Sequence, residues 1–154
     1  MVVLKILELF SGTGSVGKVA EERNHLVISL DKDMPATIKT DIMDWDYKQF
    51  PEGFFDFIWA SPPCTEYSSA KTTGVRKIEE ANKIVKLTIE IIEYFKPKYW
   101  CIENPQSGLL KSQEFMWFRP FTDIDYCKYG MPYRKRTRIW NNISHWLPQP
   151  LCNK

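Results

Sequence analysis

The sequence predicts a doubly wound α/β fold, in which a mostly parallel sheet carries an antiparallel pair of strands at one edge. Apolar and β-branched runs alternate along the chain with stretches of helical periodicity, which is typical of this class. Several of these runs end at glycines, prolines or carboxylates, the residue types that follow the strands of ligand-binding α/β sheets. A chain of 154 residues with 44% hydrophobic and 26% charged residues suits one folded domain. We place that domain at residues 1–142 and a C-terminal tail at residues 143–154.

The first half of the chain alternates strands with a short helix. Residues 2–9 are nearly continuous in apolar character, which predicts a buried strand, and residues 15–23 suit a helix whose N-terminus follows two glycines. Residues 26–30, 36–40 and 54–60 predict three further strands, and Pro62 and Pro63 end the last of them. A strand followed by a helix and a second strand is the unit from which parallel sheets are built.

The second half of the chain contains the strongest helix and then a change of pattern. Apolar residues recur at helical spacing between residues 78 and 96, and Pro97 ends that helix before a strand at residues 99–102. Residues 124–129 and 138–142 then predict two strands separated by a Gly-Met-Pro turn. Because they are close in sequence, we expect them to form the antiparallel edge pair of a Rossmann-like sheet.

The composition excludes several classes of protein. No uncharged apolar run is long enough to cross a membrane, and charged residues interrupt the N-terminal apolar stretch, which is not typical of a secretory signal. The four cysteines form no CxxC pair and only two histidines are present, so we expect no metal site. We therefore expect free thiols in a protein that is not secreted and that lies in the cytoplasm or wherever its substrate lies.

A Phe-Ser-Gly-Thr-Gly turn at residues 10–14 lies between the first strand and the first helix. Glycines let the backbone approach a ligand, although many such turns are only tight turns. Asp31 ends the second strand about 20 residues later, where an acid holds a ribose, and Asp41 follows the third strand. Because this region is acidic and lacks a P-loop Lys-Ser/Thr pair, a nucleoside without phosphates fits it better, and S-adenosylmethionine fits best. Turn formation is the alternative role of both acids.

Three further patterns follow the later strands. Cys64 comes after a Pro-Pro corner and is flanked by Ser and Thr residues, unlike the surroundings of a buried packing cysteine. Glu103 ends the next strand, where a solvated turn acid is the alternative. Arg136 and Arg138 would share one strand face in a basic stretch, although such charge runs are more often only solvated surfaces. Because the carboxyl ends of parallel strands meet at one edge, the sequence predicts a common site there.

These patterns resemble the ordered motifs of the cytosine-C5 DNA methyltransferases. The sequences Phe-Ser-Gly-Thr-Gly (10–14), Pro-Cys-Thr-Glu-Tyr-Ser (63–68), Glu-Asn-Pro (103–105) and Tyr-Gly-Met-Pro with Lys-Arg-Thr-Arg-Ile (129–139) are similar to FxGxG, PCQxFS, ENV and QxRxR, in that order. The resemblance covers residues 3–142, and four ordered motifs are far more specific than one. It implies an S-adenosylmethionine-dependent methyltransferase fold, a catalytic domain at residues 1–142 and DNA as the partner.

The resemblance also implies a covalent mechanism with named residues. Cytosine C5 is a poor nucleophile, so a thiolate first adds at C6. The implied catalytic residues are Cys64 as this nucleophile, Glu103 at N3 and the exocyclic amine, Arg138 at O2, and Arg136 to orient the pocket. The implied cofactor-binding residues are Phe10, Gly12, Gly14, Asp31, Asp41 and Pro63. Thr65 and Asn104 would bind the substrate, and a target cytosine in duplex DNA would be flipped out to reach the thiol.

The chain departs from the family pattern at several positions. Thr65 stands for the family's Gln and Pro105 for its Val, and the basic turn lacks its leading Gln and has one additional residue. Few residues follow Asn142, whereas family members continue with a target-recognition domain and a final helix. We therefore expect sequence specificity that is relaxed, or supplied by a homodimer partner or a separate recognition subunit. Trp140 and Trp146 are candidates for such a contact.

Other functions are compatible with the same residues. The substrate could be RNA or a free cytosine nucleotide, or the chain could be a non-catalytic, cofactor-binding accessory subunit. The simultaneous presence of Cys64, Glu103 and both arginines argues against the accessory role. Methylation of an amino group is a further alternative, but its Ser-Pro-Pro loop continues with an aromatic residue, and Cys64 occupies that position here.

Overall fold

The computed structural model describes residues 2–68, 71 and 74–153, and its centre is one seven-stranded sheet. The strands are β1 (Lys5–Leu9), β2 (Leu26–Asp31), β3 (Ile38–Lys39), β4 (Phe57–Ala60), β5 (Tyr99–Pro105), β6 (Phe121–Asp125) and β7 (Arg136–Asn141). Their spatial order is β3-β2-β1-β4-β5-β7-β6. The first five strands pair in parallel, and β7 pairs antiparallel with both β5 and β6. The predicted mostly parallel sheet with an antiparallel edge pair is confirmed.

Two α-helices lie on opposite faces of this sheet. Gly17 of α1 (Ser15–Glu22) lies against Glu8 of β1, so α1 packs on the face that carries Glu8. The buried residues of α2 (Ile78–Phe95) share a core with Leu7 and Leu9, which alternate with Glu8 and point to the other side. We call the two sides the α1 face and the α2 face. Within the described part of the chain, neither helix is long and apolar enough to span a bilayer.

The main core fills the α2 face, because the apolar residues of α2 follow the helical period. The buried positions of this helix are Ala81, Val85, Thr88, Ile89, Ile91, Ile92 and Phe95. The helix ends where Lys96 adopts a left-handed conformation (φ 49°) before Pro97. Phe95 is fully buried, and its ring centroid lies 4.9 Å from those of Phe55 and Tyr94. These edge-to-face contacts fix the C-terminal end of α2 on the sheet.

The α1 face carries a smaller second core. Cys101, Ile124 and Ile139 are buried there, and Ile143 and Trp146 of the C-terminal segment pack against them. An apolar opening of about 560 Å³ remains beside these residues, with Phe57 in its wall. The C-terminal segment therefore contacts the sheet, and a domain boundary at residue 142 stays a prediction.

Some details of the edge pair differ from the prediction. A strand was expected at residues 124–129, but β6 ends at Asp125 and the chain continues as a 3₁₀ turn that ends at Gly130 with a φ of 99°. β7 begins at Arg136, two residues before the expected start. The expectation that Trp140 contacts a partner is wrong, because strand alternation turns this side chain into the core of the α2 face, where it is 1% exposed.

Replacing Phe95 by alanine tests the main core. The Phe95→Ala variant leaves a cavity among aromatic rings, so we expect the free energy of unfolding to fall by about 3–5 kcal/mol in urea denaturation. The matched control is Phe118→Ala, because Phe118 is 95% exposed, and this change should alter the free energy by less than about 0.5 kcal/mol. Equal denaturation midpoints for the two variants would contradict this assignment of the core.

Candidate active site

The turn between β1 and α1 has an unusual backbone. Phe10, Gly12 and Gly14 all adopt positive φ values, of 57°, 54° and 75°. Glycine tolerates this region without cost, whereas a side chain such as that of Phe10 is strained in it by about 1–2 kcal/mol. The turn is closed by the N–H of Gly14, which donates to the carbonyl of Ser11 at 2.7 Å. Strain of this kind is found where the surrounding structure fixes a functional conformation.

Asp31 holds this glycine turn from the end of β2. Its Oδ2 accepts a hydrogen bond from the N–H of Gly12 at 2.9 Å, and its Oδ1 accepts from the N–H groups of Asp33 and Met34 at 2.9 and 2.8 Å. Burial alone raises the pKa of Asp31, but these hydrogen bonds outweigh it and the pKa lies below the ordinary value. An ionised carboxylate therefore stands beside the turn at neutral pH.

A first cavity of about 260 Å³ opens beyond the ends of β1, β2 and β4. Its wall contains four of the predicted cofactor-binding residues, Phe10, Asp31, Asp41 and Pro63. Asp41 also caps the following 3₁₀ turn, because its Oδ1 accepts the N–H of Met43 at 2.9 Å. Lys32 and Asp33 complete the charged part of the wall, so carboxylates outnumber cations three to one in this cavity.

A second cavity of about 300 Å³ lies beside the first, and Phe10 and Ser61 line both. Gly12 lines this second cavity, which also contains the side chains of Glu8, Trp59, Glu103 and Tyr126. Gly14, the remaining predicted cofactor residue, caps the N-terminus of α1. The structure thus brings the glycine turn, both predicted aspartates and Glu103 to one edge of the sheet.

Glu103 stands in the second cavity within a short polar chain. The indole N–H of Trp59 donates to the hydroxyl of Ser61 at 2.9 Å, and the Ser61 side chain hydrogen-bonds to Glu103. Burial raises the pKa of Glu103, and the charge of Lys135 together with the Ser61 contact opposes this shift only in part. Glu103 therefore keeps its proton to a higher pH than an ordinary glutamate.

Glu8 is a site residue that the sequence analysis missed. This side chain is 2% exposed, its Oε2 accepts the N–H of Gly17 at 2.7 Å, and its Oε1 has no partner among the described residues. Burial raises its pKa, against the hydrogen bonds from the start of α1. A carboxylate flanked on both sides by apolar residues of β1 was the available signal. An unpartnered acceptor at this depth indicates a place for a hydrogen-bond donor.

The loop that carries Cys64 is fixed from the neighbouring strand. Asn104 is 1% exposed, and its amide donates to the carbonyl of Pro62 at 3.0 Å. The hydroxyl of the buried Tyr67 donates to Asn82 at 2.6 Å and holds the other end of the loop. Between these anchors Cys64 is a free, half-buried thiol, and the following Thr65 is exposed. The loop therefore holds Cys64 directly after Pro63, which lines the first cavity, while Cys64 itself lines neither of the two cavities.

Arg136 and Arg138 share one face of β7, but each is paired with a carboxylate of β6. Arg136 donates to both oxygens of Asp125 at 3.0 and 2.8 Å, and Arg138 donates to both oxygens of Asp123 at 2.8 and 3.0 Å. In the β5–β7 register Asn104 lies opposite Arg138, one residue beyond Glu103. Successive strand residues point to opposite faces. The two guanidinium groups therefore leave the sheet on the other side from Glu103, and the structure does not bring them together with it.

No metal centre is evident in the part of the chain that the structure describes. Within residues 2–68, 71 and 74–153 there is no group of three His, Cys, Asp or Glu side chains that could hold an ion.

Comparison with known sequences gives two matches. A family model described as C-5 cytosine-specific DNA methylase matches residues 4–126. A protein of Frog virus 3 (isolate Goorha), described as a probable DNA (cytosine-5)-methyltransferase, is 33% identical over 165 residues, which cover 98% of this chain and 76% of that protein. The family-model match ends before Arg136 and Arg138, whereas the viral relative extends across nearly the whole chain.

Solved structures share the fold. A protein described as a DNA modification methyltransferase encoded within an E. coli prophage matches with a TM-score of 0.69 at 15% identity, over 97% of this chain and 52% of that one. The Dnmt2 methyltransferase of S. pombe matches with a TM-score of 0.59 at 16% identity, over 96% and 52%. At these identities the likeness shows the fold alone. The chain spans about half the length of both structures.

The pairing of Asp125 with Arg136 predicts a specific acid dependence of stability. The hydrogen bonds from Arg136 hold the pKa of the buried Asp125 well below its usual range. A carboxylate whose pKa is lower in the folded state stabilises the fold above its unfolded pKa, and this stabilisation is lost as the pH falls towards the folded pKa. In the Asp125→Asn variant, the urea denaturation midpoint should therefore decrease less than in the unaltered protein as the pH is lowered from about 5 to about 2.

The matched control for this prediction is Asp46→Asn, because Asp46 is exposed and forms no salt bridge within the described chain. This variant should keep the acid dependence of the unaltered protein. An Asp125→Asn variant with the same pH slope as the control would contradict the importance of the ion pair.

Proposed function

Because this chain belongs to the C-5 cytosine-specific DNA methylase family, we propose that it transfers a methyl group from S-adenosylmethionine to C5 of cytosine in DNA through a covalent adduct with Cys64. The observation that carries the proposal is the adjacency of two cavities at one sheet edge, which share Phe10 and Ser61. One is lined by aspartates that suit a nucleoside, and the other contains Glu103. The Cys64 loop lies beside the first.

The residues of the glycine turn fit S-adenosylmethionine. Its adenosine would occupy the first cavity, with the ring of Phe10 and Pro63 against the base, Asp31 at the ribose and Asp41 at the adenine amine. Gly12 leaves room for a close backbone approach, and the unpartnered Oε1 of Glu8 suits an ammonium donor. The acidic walls favour a cationic ligand over a phosphate. When bound, S-adenosylmethionine supplies an electrophilic methyl group on a positively charged sulfonium.

Cys64 is the nucleophile in this proposal. Its thiolate forms a bond to C6 of the cytosine, and the electron pair of the C5–C6 double bond becomes available at C5. C5 gains the methyl group as the bond between that group and the sulfonium sulfur breaks, which leaves S-adenosylhomocysteine. The C5 proton then passes to solvent and the bond between the Cys64 sulfur and C6 breaks, which restores the aromatic ring and the free thiolate. Asn104 acts through Pro62, because it fixes the loop that presents the thiol. The exposed Thr65 is available for direct contact with the substrate.

Glu103 neutralises the negative charge that develops on the cytosine ring in this proposal. As the thiolate adds at C6, negative charge accumulates at N3 and O2, and a protonated Glu103 gives its proton to N3. The raised pKa of Glu103 supports this role, because burial keeps the carboxyl group protonated to a higher pH than in an ordinary glutamate. The proton returns to the carboxylate when Cys64 leaves, so the residue is regenerated in each cycle.

The two arginines do not contact the cytosine in this scheme. Arg136 is bound to Asp125 and fixes the pairing of β7 with β6, away from the reacting ring. Arg138 does not contact the cytosine O2 in this scheme, because its guanidinium is paired with Asp123 and lies 3.6 Å from the Phe121 ring on the sheet face opposite Glu103. The target cytosine leaves a duplex to reach Cys64. Sequence specificity that is relaxed, or supplied by a second copy or a recognition subunit, completes the proposal.

Replacing the proposed nucleophile tests the reaction. Cys64→Ser should lower transfer of radiolabelled methyl groups to cytosine-containing DNA by at least about 10³-fold, because a serine hydroxyl is not ionised at neutral pH. Binding of S-adenosylmethionine, measured by calorimetry, should remain within about twofold of the unaltered protein, since Cys64 lies outside the first cavity wall.

The matched control is Cys152→Ser, the same substitution at a half-buried cysteine outside the proposed site. It should leave methyl transfer unchanged. Methyl transfer by Cys64→Ser at the rate of this control would overturn the covalent mechanism.

A further inference from the structure

A basic turn lies beside the candidate site and has no role in the proposed chemistry. Residues 128–135, which we call the basic tip, lie within the connection between β6 and β7, and all eight are exposed. In the antiparallel ladders Pro105 pairs with Thr137, and Asp125 pairs with Arg136. The basic tip therefore projects from the edge at which β5 ends, which is the edge that carries both cavities.

The charge of the basic tip is entirely positive. Lys128, Arg134 and Lys135 lie within it, and it contains no acidic residue. The carboxylate at its base, Asp125, is occupied by Arg136 and lies 3.7 Å from Arg134. Across the described ranges, no salt bridge is formed by Lys128 or Lys135. Two ammonium groups are thus available to an external anion.

Aromatic side chains accompany these charges. Tyr129 and Tyr133 are 47% and 59% exposed, and Met131 lies between them. Alternating cations and exposed rings suit a nucleic-acid strand, because cations neutralise phosphates while rings stack on unpaired bases. A free inorganic anion would use only the first of these features.

Three hydrogen bonds connect the basic tip to its base and to the C-terminal segment. The N–H of Tyr126 donates to the carbonyl of Lys135 at 3.1 Å, and the N–H of Met131 donates to the carbonyl of Tyr126 at 3.1 Å. The hydroxyl of Tyr129 accepts the N–H of Gln149 at 2.8 Å. With these cross-links, fewer backbone dihedrals remain to be ordered when a ligand binds.

The basic tip is also continuous with the second cavity. Tyr126, at its base, lines that cavity together with Glu103, and the ammonium group of Lys135 acts electrostatically on Glu103. A strand whose base occupies this cavity must carry its phosphates along the nearby surface. We propose that the basic tip binds the sugar-phosphate backbone of the strand that delivers the target base, with Lys128 and Lys135 as phosphate contacts. This inference rests on the proposed function for the identity of the strand.

Nucleic-acid binding by a double variant tests the inference. Lys128→Ala/Lys135→Ala should bind a labelled cytosine-containing DNA duplex about tenfold more weakly at low salt, and the slope of log K against log [NaCl] should fall by about 2. The matched control is Lys5→Ala/Lys98→Ala. Both of these lysines lie over aromatic rings at the amino ends of β1 and β5, on the opposite sheet edge, and their removal should leave affinity and slope unchanged.

A parallel titration with RNA of the same sequence shows whether the bound sugar-phosphate backbone is that of DNA or of RNA. A tenfold loss of affinity for DNA in the double variant identifies DNA as the strand that the basic tip binds, and a tenfold loss of affinity for RNA identifies RNA. Unchanged affinity for both, or an unaltered protein that binds neither, overturns the inference. A protein that binds DNA through the basic tip but forms no methylated product would leave this inference standing and would contradict the proposed function instead.

Discussion

The parallel pairing of β2, β1, β4 and β5 is the constraint on which the candidate site depends. Parallel strands end at the same edge, so the segments that follow them are brought together whatever their distance in sequence. The glycine turn follows β1, Asp31 ends β2, the Cys64 loop follows β4 and Glu103 lies near the end of β5. Each segment alone is an ordinary turn, and their chemistry becomes useful because the sheet places them side by side.

The carboxylates at this edge are set to different protonation states by their surroundings. Asp31 receives three backbone hydrogen bonds and remains ionised, whereas Glu8 and Glu103 are more deeply buried and hold their protons to higher pH. Asp125 is a third case, because a bidentate arginine keeps it ionised although it is buried. One sheet edge thus contains an acceptor for a ligand, a candidate proton donor and a structural ion pair.

The sequence predicted the elements whose signals are local. The period of α2, the apolar strands and the residues that follow them depend on short stretches of chain, and the sheet class followed from their order. The pairings of Arg136 and Arg138 were not predictable, because they depend on the register between β6 and β7, which the sequence does not specify directly. The burial of Trp140 has the same origin. Glu8 was overlooked because its apolar neighbours predicted only a buried strand.

The central claim is a bond between the sulfur of Cys64 and C6 of cytosine, and a mechanism-based trap tests it most directly. DNA that contains 5-fluorocytosine lacks the C5 proton whose departure releases the enzyme. With S-adenosylmethionine present, we expect a covalent complex in denaturing mass spectrometry, and peptide mapping should place the nucleotide on Cys64. Methyl transfer to unmodified DNA without any trapped complex, or a complex mapped to another cysteine, would contradict the account.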